Sequence, residues 1–458
     1  MKNKIVKLLI LTLLVTLSSC KKFLEIPPPE TEVELSKIFD SDQTALAATL
    51  GLYSRVANDV SAFCNGSITI YSALSADETF NTGVNTNDDA FRTNTLLSSN
   101  SVLLSSMWRN AYLYIYHTNA VIEGLEQSAS VSRTVKDQLT GEMLYLRALH
   151  HFYLVNLFGD VPLMTSTNYL VNANMARTQA SIVWDQITHD LRQASTLITD
   201  NTNLDNTRIS RAACQGLLAR VYLYRGLWKE AESEASKVIG TSRFALESLN
   251  NVFLIGSKEV LFSWARATGN TVEGSKFLPT STTARPPYAL QPGLMSTFEN
   301  GDDRKTSWIK SNTVSGTIYN YPNKYKVRAA SPITERCAVQ RLAEIYLIRA
   351  EARTNQNDLS NAIDDLDMIR SRAGLTRLKL SNPTISREEL LKAIYRERQV
   401  ELFAEWGHRW LDLKRSGQAN TILGQIKGSN WQTTDILYPL PINELQTNPN
   451  LTQNLGYE

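Results

Sequence analysis

The chain has 458 residues, 43% of them hydrophobic and 20% charged, with a formal charge of +2. That length and composition fit a globular protein with a substantial core and exclude a disordered or fibrous chain. So small a net charge, with no basic cluster, excludes nucleic acid as an expected partner.

The N-terminus reads as an address rather than as fold. Lys2, Lys4 and Lys7 precede an apolar run over 8–17, too short to span a bilayer comfortably, and Leu17-Ser18-Ser19-Cys20 follows. This predicts a lipoprotein signal peptide over 1–19, with cleavage before Cys20. Acylation of that thiol and of the new amine would give several chains on one residue, a firm anchor where one chain is marginal. Residues 20–34 carry Pro27-Pro28-Pro29 and little periodicity, so an extended tether is expected. No other segment is long and apolar enough to cross a membrane. The remaining Cys64, Cys214 and Cys337 are odd in number and lack metal-ligand spacing, so neither a disulfide framework nor a zinc site is expected.

From there the chain alternates between helical periodicity and polar stretches. A helix is predicted over 35–56, with Leu46, Leu50 and Tyr53 on one face. Residues 67–100 are rich in Ser, Thr, Asn and Asp and read as a long ordered loop, the kind that is usually functional or disordered. Helices return over 106–125 and 135–157, the second ended by Gly159 and Pro162. Another spans 182–197. Residues 212–239 read as a helix hairpin: Ala219 stands twelve residues before Ala231, Tyr222 and Trp228 fill the space, and Gly226 makes the turn. One such hairpin cannot bury its own apolar face, so companions are predicted.

Residues 244–332 break the pattern with one strand, 259–265, among Gly, Thr, Ser, Asn and Pro. The hairpin spacing then repeats over 338–352 and 359–372, with Ala350 twelve before Ala362 and Asn357-Asp358 at the turn. Ser386 and Glu389 form a capping box that opens a helix expected to run to Lys414. The last thirty residues read as loop-like and polar. The fold class is therefore mainly α: a tetratricopeptide-like scaffold of about four helix pairs over 35–66, 101–243 and 333–415. Loop-rich insertions at 67–100 and 244–332, a tail at 416–458 and few short strands complete a single domain over 35–458.

At this level of detail the chain resembles the SusD/RagB lipoproteins of diderm bacteria along most of its length. The matching motifs run in order: the lipobox with Phe23-Leu24, Leu146-Arg147-Ala148 leading to Phe158-Gly159-Asp160-Val161-Pro162, and Ala219-Arg220-Val221-Tyr222-Leu223. Then come Ala343-Glu344-Ile345-Tyr346, Ile369-Arg370-Ser371-Arg372-Ala373-Gly374-Leu375, Glu397-Arg398 with Glu401-Leu402, and Gly407-His408-Arg409-Trp410. Asn448-Pro449-Asn450-Leu451 and Gly456-Tyr457 close the series. The resemblance implies an outer-membrane surface lipoprotein, seated as a lid on a SusC-like TonB-dependent transporter, that captures glycans or, in some members, peptides. It also implies a helical scaffold facing the transporter and a loop-rich half carrying the ligand. One departure stands out: exported members often carry acidic residues soon after the lipidated Cys, whereas here Lys21-Lys22 follow and only Glu25 is near.

Glu397, Glu401 and Glu405 share a helical face, with His408 beyond, which could suggest acid–base chemistry or a metal site. Arg396, Arg398, Arg409 and Arg415 are interleaved with them, and a structural network of charge-assisted hydrogen bonds accounts for the same residues more simply. His117 and His150-His151 lack ligand spacing and read as packed or surface histidines. No H-E-x-x-H, G-x-S-x-G or phosphate-cradling motif occurs, so no enzyme is expected. Asp88-Asp89 and Asp302-Asp303 are oxygen-rich enough for calcium but lack the spacing of a known calcium loop, so no cofactor is expected. The loop aromatics are the informative residues, because sugar C–H faces stack on aromatic rings while hydroxyls need planar polar side chains. Phe80, Asn81, Phe91 and Arg92 in the first insertion and Tyr288, Trp308, Tyr319 and Tyr321 in the second are the candidate ligand set. The expected function is non-catalytic capture of an oligosaccharide for a partner transporter. The alternatives are a peptide-capturing lipoprotein, an envelope glycan hydrolase and a scaffold that binds only proteins.

Overall fold

The computed structural model describes residues 38–199, 205–329 and 331–457. The signal peptide, Cys20, the tether and the first residues of the helix expected from Leu35 lie outside the described residues.

The described chain is mostly helical. The helices of eight or more residues are α1 (Asp42–Asn58), α2 (Ile68–Ser75), α3 (Thr86–Thr93), α4 (Asn110–Gln127), α5 (Arg133–Phe158), α6 (Ala180–Leu197), α7 (Arg211–Tyr224) and α8 (Trp228–Ile239). After the second insertion come α9 (Leu342–Asn355), α10 (Leu359–Arg372), α11 (Arg387–Glu401), α12 (His408–Arg415) and α13 (Ala419–Lys427). Packing follows chain order from α4 to α10, and α8 lies on α9 although the whole second insertion separates them in sequence. α5/α6, α7/α8 and α9/α10 are the stacked hairpins; α1 and α4 close one end, and α11 the other.

The hairpin spacing works as the residues predict. Ala219, Ala231, Ala350 and Ala362 are all fully buried, so the helices of each pair approach without bulk between them. The two turns place Gly226 at φ +70° and Asn357 at φ +65°, the left-handed conformation that glycine and asparagine adopt at least cost. Arginine–carboxylate forks tie successive helices together. Arg147 grips Asp190 from α5 to α6 at 2.8 Å, Arg220 grips Glu344 from α7 to α9 at 2.6 Å, and Arg349 grips Asp365 from α9 to α10 at 2.7 Å. Such buried forks fix register, because breaking one strands a charge at a cost of about 3–5 kcal/mol.

Three two-stranded antiparallel ribbons complete the fold. β1 (Thr79–Asn81) pairs with β3 (Tyr288–Leu290), β2 (Val260–Trp264) with β6 (Cys337–Arg341), and β4 (Ile309–Val314) with β5 (Thr317–Pro322). β2 is the strand expected at 259–265.

Three expectations are corrected. Residues 67–100 are not one loop: α2, β1 and α3 occupy most of them, and Ile68, Ile70, Ala73 and Leu74 are buried in the core. A helix of eight residues buried all round carries no amphipathic stripe to reveal it. The helix from Ser386 also does not reach Lys414. It stops at Glu401, and Ala404, Trp406 and Gly407 all take positive φ before α12 begins. There the Trp406 indole N–H donates to the Ala338 carbonyl at 2.7 Å, and a Cβ on Gly407 would stand 2.7 Å from that of Ser72. Tertiary contacts outweigh propensity at this bend. Tyr438 and Leu440 in the tail are likewise fully buried rather than peripheral.

Candidate functional site

The site is built where the two insertions meet. Antiparallel pairing of β1 with β3 sets Phe80 opposite Ala289 and Asn81 opposite Tyr288, which brings residues some two hundred positions apart onto one ribbon. The Thr82 amide extends the pairing by donating to the Pro287 carbonyl at 3.0 Å. The β4–β5 hairpin lies beside β3. Its tip is Ser315-Gly316, both at positive φ, a two-residue turn whose twist matches that of the strands it joins.

Register decides which side chains share a face. Asn312 stands opposite Tyr319, and Lys310 opposite Tyr321, so these four project from the same side of the hairpin. The buried Asn312 amide donates to the carbonyls of Ser281 at 3.0 Å and Ala284 at 2.9 Å, which fastens the preceding loop against that face. Arg285 then lies with its guanidinium 5.7 Å from the Tyr319 ring centroid. Tyr288 is tied down from the other side: its hydroxyl donates to Asp88 of α3 at 2.9 Å. Burial is the main force raising the Asp88 carboxyl, partly offset by this bond and by Lys276.

The eight sequence candidates separate into two groups. Phe80, Asn81 and Tyr319 are half-buried around the ribbons, with faces left for a ligand. Asn81 spends its amide on the Gly83 carbonyl at 3.0 Å and leaves its own oxygen without a partner. Tyr288 and Tyr321 belong to the same ribbons, but their rings are buried and closed to a ligand. Phe91 and Trp308 are corrected, and Arg92 lies apart from the hairpin face. The Phe91 ring is fully buried against Tyr71 and Tyr438, and Arg92 pairs with Asp89 at 2.9 Å on the same helix.

Trp308 is 0% exposed and cannot stack on a sugar. Its indole N–H donates to the Leu249 carbonyl at 2.8 Å, and its ring lies under Lys324, Arg341 and Arg372. Loop composition concealed this, because the partners come from distant segments. Arg285 is the residue sequence reading missed. The turn dipeptide Ser315-Gly316 could have disclosed the hairpin, but nothing local disclosed what docks on it.

The acidic face of α11 forms a buried charge network. Glu397 accepts from Arg304 at 2.6 Å; Glu401 accepts from Arg304, Arg341 and Arg372; Glu405 accepts from Lys324 and Arg341. The interleaved arginines turn elsewhere: Arg398 and Arg415 to Asp412, Arg409 to Asp77, and Arg396 to the Thr297 carbonyl. Burial alone would raise the Glu401 carboxyl, but the three guanidiniums hold it well below the usual carboxylate range. Burial holds His408 uncharged at neutral pH, and it lowers His150 to about 4 and His151 to about 3. Among the described residues no group of three His, Cys, Asp or Glu side chains is arranged for a metal ion.

A small concavity touches β5 at Pro322, beside Phe277 and Lys324, and others lie away from the ribbons. One of about 330 Å³ runs between α4 and the tail, lined by Trp108, Tyr112, Tyr169, Asn172 and Glu444. The hairpin face carrying exposed Lys310 and half-buried Tyr319 is the exposed shelf of the ribbons.

Two family models match the chain, one toward each end. The model described as "Starch-binding associating with outer membrane" matches residues 22–223, and the model described as "SusD family" matches residues 296–457. A SusD-like protein of Formosa agariphila is 24% identical over 96% of this chain and 97% of its own. The starch-binding protein SusD of Bacteroides thetaiotaomicron is 23% identical over 73% of this chain and 75% of its own. Among solved structures, a SusD superfamily protein from Bacteroides vulgatus superposes with a TM-score of 0.79 at 20% identity, covering 91% of this chain and 99% of that one. A structure described as a laminarin binding SusD-like protein does so with a TM-score of 0.74 at 24% identity, covering 92% and 100%. With the scaffold, the insertions and both ends of the sequence in agreement, the chain belongs to the SusD/RagB family.

Proposed function

We propose that the protein is a non-catalytic, lipid-anchored glycan-binding protein of the outer-membrane surface that passes an oligosaccharide to a SusC-like TonB-dependent transporter. The observation that carries this reading is the joining of the two insertions by β1–β3 pairing, with the β4–β5 hairpin and its half-buried Tyr319 set beside β3. Relatives described as binding starch and laminarin support a sugar as the ligand. The lipobox ending at Cys20 supports the anchor. Against hydrolysis, the carboxylates most suggestive of acid–base work, Glu397, Glu401 and Glu405, have every oxygen engaged by arginine or lysine.

Calorimetric titration of the mature protein with glycans and peptides tests the reading. Glycan binding that falls at least about tenfold in Tyr319→Ala, the scale of a lost ring contact, supports it. Peptide binding without any glycan response overturns the sugar and leaves capture standing; new reducing ends released from polysaccharide overturn the non-catalytic assignment. Tyr169→Ala, in the groove beside α4, is the control. If it abolishes binding and Tyr319→Ala does not, the shelf is the wrong site.

A further inference from the structure

The shelf is also charged, and with one sign. Residues 274–298 hold Lys276 and Arg285 and no Asp or Glu; residues 304–334 hold Arg304, Lys305, Lys310, Lys324, Lys326 and Arg328, again with no Asp or Glu. Arg304 and Lys324 are buried in the network under α11. Lys276 faces the Asp88 charge, and Arg328 donates to the Leu278 carbonyl at 3.2 Å. Arg285 and Lys310 are different: both are exposed, and neither forms an ion pair with any described carboxylate.

Their placement is not that of scattered surface cations. Lys310 shares a hairpin face with Asn312, Tyr319 and Tyr321, and Asn312 fixes the loop that delivers Arg285 to the same face. Burial, resisted by Glu335 and helped by the Lys310 charge, lowers the Lys326 ammonium, so a second cation stands close behind the first. Glu335 offsets part of the charge at Lys326, whereas Arg285 and Lys310 have no ion-pair partner among the described residues, and two like charges on one face favour the arrival of an anion. The Tyr319 ring orders the Arg285 guanidinium by cation–π contact without neutralising it. Its donor fork stays unspent, and a fork of that shape matches carboxylate or sulfate oxygens two at a time.

We infer that the shelf selects an anionic oligosaccharide, bearing carboxylate or sulfate groups, with Arg285 as the principal anion contact, Lys310 as the second and Tyr319 as the ring surface. This rests on the glycan-capture reading above and specifies the class of sugar.

The mature protein is titrated with four probes: oligogalacturonate for carboxylate, a sulfated galactan oligosaccharide for sulfate, laminarin oligosaccharide as a neutral glycan, and a poly-glutamate peptide. At least one anionic glycan is expected to bind ten times more tightly than laminarin, and to weaken several-fold between 50 mM and 500 mM salt as exposed charges are screened, about a tenfold ionic-strength change. Whichever anionic arm responds identifies the group. Arg285→Gln is expected to cost that ligand about tenfold and Lys310→Gln about threefold, as lost charge-assisted contacts do. Thermal unfolding should be unchanged in both variants, since neither side chain is buried. Laminarin bound as tightly as the acidic sugars, with no effect of Arg285→Gln, overturns the charge selection and leaves glycan capture intact. No response to any glycan overturns both readings. Poly-glutamate bound more tightly than every glycan overturns the sugar.

Discussion

Arg304, Arg341 and Arg372 under α11 and Arg285 and Lys310 on the shelf are the same chemistry under opposite rules. The first set is buried, and each guanidinium meets at least two carboxylates from other segments. The second set is exposed and has none. A desolvated charge survives only when partnered, so the buried set speaks of stability; an exposed charge left unpartnered and ordered by a ring is available to a ligand. Sequence alone ranks these residues equally, and partnering separates them.

The comparison can be broken at four places, the largest effect first. Glu401→Gln leaves three buried guanidiniums facing a neutral amide, and unfolding in urea should register a loss of about 3–5 kcal/mol; a loss under 1 kcal/mol, by the same scale, would mean the network is not structural. Trp308→Phe keeps the ring but strands the Leu249 carbonyl, so a loss of about 1–3 kcal/mol is expected with ligand affinity intact. Weakened binding with unchanged stability would return Trp308 to the ligand site.

Glu78 sharpens the contrast, since it is a buried carboxyl that forms no ion pair among the described residues. Burial, aided by Asp77, pushes it from 4.5 up to about 8. Its folded pKa lies above the unfolded one, so its contribution is complete below 4.5 and is lost as pH rises to about 8. Measured against Glu78→Gln, wild-type stability should therefore fall across that window by up to about 1.4 kcal/mol per pH unit. Parallel curves would show that Glu78 is solvated or paired. Tyr319→Ala has the smallest structural effect, under about 1 kcal/mol at a half-exposed position, while glycan affinity drops. Loss of fold instead of affinity would place Tyr319 with the buried set.

The loop aromatics show how composition misleads. Tyr319 and Trp308 stand eleven residues apart in one polar stretch, and nothing local says that one lies on the shelf and the other in the core. Trp308 is drawn inward by Leu249 and by cations on β6 and α10, all far away in sequence. Arg285 escaped notice for the complementary reason: its partner ring comes from the far strand of a hairpin whose docking is set by Asn312.

The sequence by itself determined the helix pairs, their small-residue contacts, the turns at Gly226 and Asn357, the capping box at Ser386 and the strand at 259–265. The helical features are fixed by interactions within about a dozen residues, where periodicity and backbone preference are sufficient, and the strand showed in its local run although its partner is Cys337–Arg341. Tertiary structure alone decided the break after Glu401, the helix at 68–75, the partners of the acidic face and the union of the two insertions. Those depend on segments brought together only when the core closes, and the free energy of burying a charge or a ring depends on what it meets there.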